Sequence, residues 1–206
     1  METKVAAEHL QTIRTLMERS ALYRRALAPV MITSGLVGIV ASVAAHLLRI
    51  DSSRGFALFW LITSAVAIAA TLLLVRRQAL KDSETFWSLP TRRVTEALLP
   101  AFLVGLAAGT FHVVGQSQDT AWLLAFAWVI VYGCALHAAG FFMQNRMKLF
   151  GWIIILGGCG LLFASFQWPW LRTTQAAHCL MGTFFGLLHL ACGVFLYFTE
   201  QRRNVS

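Results

Sequence analysis

Residues Thr173–Thr199 read TTQAAHCLMGTFFGLLHLACGVFLYFT, an unbroken stretch without a charged side chain. At about 1.5 Å of rise per residue this is long enough to cross a hydrocarbon layer as an α-helix. His178, Gly182, Gly186, His189 and Gly193 recur at spacings of 4, 4, 3 and 4, so a helix gathers them on one stripe. Glycines so placed admit a neighbouring helix, and the imidazoles beside them then face protein rather than lipid.

Five more charge-free windows precede this one: Ala26–Leu48, Gly55–Val75, Ala97–Gln118, Thr120–Asn145 and Leu149–Leu171. Each is long enough to span, and none alternates polar and apolar residues as a barrel strand would. The chain is 58% hydrophobic and only 13% charged, where a soluble domain is about one quarter charged. An all-α integral membrane protein of six transmembrane helices follows, arranged as three antiparallel hairpins. A single domain is expected over residues 26–199, with a short tail at 200–206. Residues 1–25 space Leu10, Ile13, Met17 and Ala21 as one apolar face, with arginines on other sides. This predicts an amphipathic helix lying on anionic lipid. These residues lack the apolar core of a cleavable signal.

Charge sets the orientation. Fourteen Lys and Arg fall on the side holding both termini, and three (Arg49, Arg54 and Arg172) on the other. Both termini are therefore expected in the cytoplasm and the protein in the plasma membrane, the inner membrane of a bacterium. The net charge of +8 is explained by this asymmetry and gives no reason to expect nucleic-acid binding. Trp60, Trp122, Trp168 and Trp170 fall toward the outer window ends and Trp87 and Trp152 toward the inner, as an aromatic belt would. Residues 76–96 are expected to form an interfacial loop, with a helix resuming near Thr91 because Pro90 disfavours helix at Leu89.

The windows contain no Asp, Glu, Lys or Arg, which removes the usual carriers of intramembrane proton transport and acid-pair proteolysis. Cys134, Cys159, Cys179 and Cys192 all lie in apolar windows without a CxxC, so neither a disulfide framework nor a thiolate metal site is expected. The histidines remain. The plainest reading is hydrogen bonding between helices. His137 stands nearly as far from Arg146 as His189 does from Glu200. The two therefore lie at similar depth, as the ligands of a bis-imidazole haem b must. His46, His112 and His178 all lie near the outer interface, where a metal site or acid–base chemistry on lipid would find them. Gly105, Gly109, Gly182, Gly186 and Gly193 are expected to seat helix packing.

Three functional readings stand. The first is a non-enzymatic permease-like or accessory membrane subunit, alone, as a homo-oligomer or beside a partner. The second is a b-type haem electron-transfer protein, and the third an intramembrane enzyme acting on lipid.

Overall fold

A computed structural model describes residues 26–83, 85–115, 120–143 and 145–205, with side chains to Thr199. The expected surface helix over residues 1–25 lies outside the described residues. Every regular element within them is helical.

Six helices are long and apolar enough to cross a membrane: α1 (Ala26–Leu47), α2 (Ser53–Lys81), α3 (Leu89–Val114), α4 (Ala121–Ala139), α5 (Asn145–Gln167) and α6 (Thr174–Thr199). The last continues as helix to Val205. A 3-10 turn, Pro169–Arg172, joins α5 to α6. Local chemistry fixes the starts. Ser52 accepts the Gly55 N–H at the head of α2, and Thr173 accepts the Ala176 N–H at the head of α6. These side chains satisfy donors that have no partner inside their helix.

Three helix boundaries differ from expectation. The interfacial loop over residues 76–96 is mostly helix. α2 runs through Arg76 and Arg77 to Lys81, and α3 starts at Leu89 rather than near Thr91. Long basic side chains favour helix and reach the headgroup region without interrupting it. Pro90 sits in the first turn of α3, where its missing N–H has no partner to lose. Likewise α5 begins at Asn145, so Arg146 and Lys148 are helical.

The interior is held by two close antiparallel seams. In the first, Ile32, Gly35, Gly38 and Ser42 of α1 meet Gly193, Leu190, Phe185 and Gly182 of α6 in descending order. A Cβ on Gly38 would stand 2.5 Å from the Phe185 carbonyl oxygen, so only glycine permits this approach. In the second, Val129, Gly133 and His137 of α4 meet Gly158, Ile154 and Gly151 of α5. A Cβ on Gly151 would meet the His137 backbone nitrogen at 2.6 Å. Among the consecutive helices from α2 onward α4 and α5 pack most extensively, and α4 also touches α2, α3 and α6. The centre of the bundle is therefore α4 and α6. α3 lies at its edge, with 6% of its most apolar window buried against 44% in α4.

Candidate functional site

Two imidazoles are enclosed by this core. His178 is 1% exposed and His189 2%, and both project from α6. At His178 the Trp60 indole N–H lies 2.9 Å from Nδ1. Indole only donates, so Nδ1 must accept. Nε2 lies 2.9 Å from the Ile50 carbonyl oxygen and must donate to it. The ring is thus neutral, with its proton on Nε2. Phe56 and Phe59 from α2 close over it, their centroids 4.9 and 6.2 Å from the ring.

His189 is arranged the other way. Nδ1 lies 2.8 Å from the Phe184 carbonyl oxygen and donates to it. Nε2 lies 2.8 Å from the Tyr132 hydroxyl, which supplies the proton of that bond. This ring is neutral with its proton on Nδ1. Phe150 from α5 and Phe185 from α6 flank it. Phe184 belongs to a π-helical segment, Gly182–Leu187, interrupting α6 between the two histidines. Such segments disturb the regular carbonyl ladder, and here the imidazole N–H serves one of its carbonyls.

The remaining histidines lie apart. His46 Nδ1 is 3.0 Å from Gln175 Oε1, and Gln175 in turn donates to Asp51. His112 engages the Ala108 carbonyl through Nδ1 and Thr120 Oγ1 through Nε2. His137 makes a 3.4 Å contact with the Lys148 carbonyl and packs on Trp152 and Phe141.

These placements separate the residues paired by depth. The His189 ring rests on Phe150 and the His137 ring on Trp152. Two residues along α5 turn the helix by about 200°, so the rings lie on different sides of it and do not face one another. His46, His112 and His178 share one end of the bundle but each has its own hydrogen-bond partners. Among the described residues no three His, Cys, Asp or Glu side chains are grouped to hold a metal ion. Gly105 and Gly109 lie against the Trp128 indole, whose N–H donates to the Gly105 carbonyl. Gly182, Gly186 and Gly193 lie against Ser42, Ile39 and Ile32 of α1.

Trp60 and Tyr132 belong to these centres, although the sequence reads Trp60 as a belt residue and does not single out Tyr132. Trp60 is not a belt residue; it is 3% exposed and serves as the hydrogen-bond donor of His178. Nothing in its spacing distinguishes it from an interfacial tryptophan. Tyr132 carried a usable signal: a phenol in the middle of an apolar window requires a polar partner at that depth.

A family-model scan, a search of curated proteins and a search of solved structures each returned no match to the chain.

Proposed function

We propose that this protein is a non-enzymatic accessory subunit of the plasma (inner) membrane. It acts by lateral contact within the bilayer, with a partner subunit or a second copy. In this reading the chain crosses as three antiparallel hairpins with both termini cytoplasmic, in keeping with fourteen basic residues on one side against three on the other. The segment before α1 lies on anionic lipid as an amphipathic helix.

One observation supports this reading above the alternatives. Each fully buried imidazole has both ring nitrogens engaged by the protein itself. A ligand to haem or metal needs a free nitrogen lone pair, and a general base needs one facing substrate. His178 and His189 offer neither; they join helices.

The test uses the less buried histidines, which chemistry would have to recruit. In cells where loss of the protein gives a phenotype, a triple His46→Ala, His112→Ala, His137→Ala variant should complement fully at normal membrane abundance. Purified wild-type protein should show no Soret band. Lost complementation with unchanged abundance would point to acid–base or ligand chemistry, and a Soret band to haem; either result overturns the reading.

A further inference from the structure

Among the described residues one buried side-chain polar atom has no hydrogen-bond partner, Nε of Arg172. The exception is informative because the other such atoms described are satisfied, including those of both core histidines. A guanidinium N–H withdrawn from water without an acceptor is costly, and native proteins seldom leave one so. The contacts described around it are with rings. The Arg172 guanidinium carbon lies 4.8 Å from the Phe166 centroid and 5.5 Å from that of Trp122. At the same end of the bundle, the Asp51 carboxylate is engaged by Gln175. Ring faces stabilise a cation but leave its N–H groups unserved.

The position indicates what completes it. Arg172 closes the 3-10 turn between α5 and α6. Phe166 in the last turn of α5, and Trp168 and Trp170 on the connection itself, are 65%, 56% and 65% exposed. Exposed indoles at a helix end mark the headgroup level of a bilayer. The acceptor group concentrated there is phosphate, which a guanidinium engages through two parallel N–H bonds. We infer that Arg172 is the recognition residue of a phosphate site at the α5–α6 turn, filled by the phosphodiester of a membrane lipid. The acyl chains of that lipid lie along Phe166 and the two indoles. On binding, the guanidinium edge turns from the rings to the phosphate, giving Nε its acceptor.

Thermal unfolding of the purified full chain in detergent, with added dioleoylphosphatidylglycerol, tests this. Wild type is stabilised by the phospholipid and not by dioleoylglycerol, which has the same chains and no phosphate. Arg172→Gln weakens the phospholipid response about tenfold in midpoint concentration, the scale of one charge-assisted contact. Arg172→Lys keeps part of it. Without lipid, Arg172→Gln unfolds at or above the wild-type temperature, because it removes a buried N–H that has no acceptor. Three results would overturn the inference. The first is an equal response of wild type and Arg172→Gln. The second is competition by millimolar inorganic phosphate, which makes the ligand a free anion. The third is a drop in lipid-free stability in both Arg172→Gln and Asp119→Asn, which would assign the arginine an internal ion pair.

Discussion

His178 and His189 sit on one helix, almost equally buried, and they are wired in opposite senses. His178 draws its partners from 118 and 128 residues away, on α2 and in the turn that ends α1. His189 takes one from its own helix, in the π segment just before it, and one from α4. The first is a clasp between distant parts of the chain. The second holds an irregularity of its own helix in place and ties it to a neighbour. Burial alone would have classed them together. The difference lies in which nitrogen carries the proton, and that is set by whether the facing group donates or accepts.

The most damaging way to separate the two centres acts on neither histidine. Gly38→Leu places carbon where the Phe185 carbonyl already lies. It should force α1 off α6 at a cost of about 3 kcal/mol or more, measured as loss of folded yield or unfolding midpoint. Ile50 follows α1, so the His178 imidazole N–H should lose its acceptor. The His189 signal should persist, because its partners are on α4 and α6. Nitrogen chemical shifts of labelled histidine would resolve this; simultaneous loss of both signals would show the centres to be one unit. Gly160→Ala, where an added Cβ meets nothing within 4 Å, is the matched control and should be silent.

Next in size are the histidines themselves. His178→Ala and His189→Ala each orphan two buried groups and should cost about 3 kcal/mol in detergent unfolding. The amide that rescues should differ between sites. Glutamine carries an N–H near the Nε2 position and asparagine near Nδ1. His178→Gln and His189→Asn should therefore recover about half of the loss, and the exchanged pair less. Equal rescue by either amide at both positions would refute the opposite tautomers.

The six spans were legible because each is an apolar window bounded by charge, and burial in lipid demands little more. The α6 stripe was legible too, since its glycines recur at helical spacing. What escaped was set across the sequence. Trp60 meets His178 only because α2 and α6 cross at that height, and an indole in a membrane window reads first as interfacial. The separation of His137 from His189 depends on rotation about α5, and depth alone carries no such information. The π segment over Gly182–Leu187 left no mark in a pattern that still matches a regular helix. The extension of α2 to Lys81 was missed because a charge ends a hydrophobic window without ending a helix.

Smaller effects should come from the partners. Tyr132→Phe keeps the ring and removes the hydroxyl that serves His189 Nε2; Trp60→Phe removes the indole N–H that serves His178 Nδ1. Hydrogen bonds between membrane helices contribute roughly 0.6 kcal/mol on average and up to about 1.7 kcal/mol. Tyr132→Phe should fall within that range. Trp60→Phe should exceed it, because a buried indole is also replaced by a smaller ring. Double-mutant cycles with the corresponding His→Ala variants remove the packing component and should leave similar couplings at both sites. A coupling near zero for Tyr132 and His189 would mean that the phenol is held by packing rather than by the imidazole.

The smallest effects are expected at His46 and His112, and they show why a shared depth does not make a site. His46 is exposed and its contact to Gln175 lies at the rim of the bundle. His112 bonds the carbonyl of its own preceding turn and the Thr120 hydroxyl beside α4. Neither replacement empties a core volume or orphans a fully buried donor, so His46→Ala and His112→Ala should each change stability by less than about 0.5 kcal/mol. The check is a comparison of unfolding midpoints with His178→Ala at the same end of the molecule. If His46→Ala approached the His178→Ala loss, the Gln175–Asp51 chain would be part of the clasp rather than its solvated edge. The histidines at this end of the bundle would then have to be treated as one coupled network.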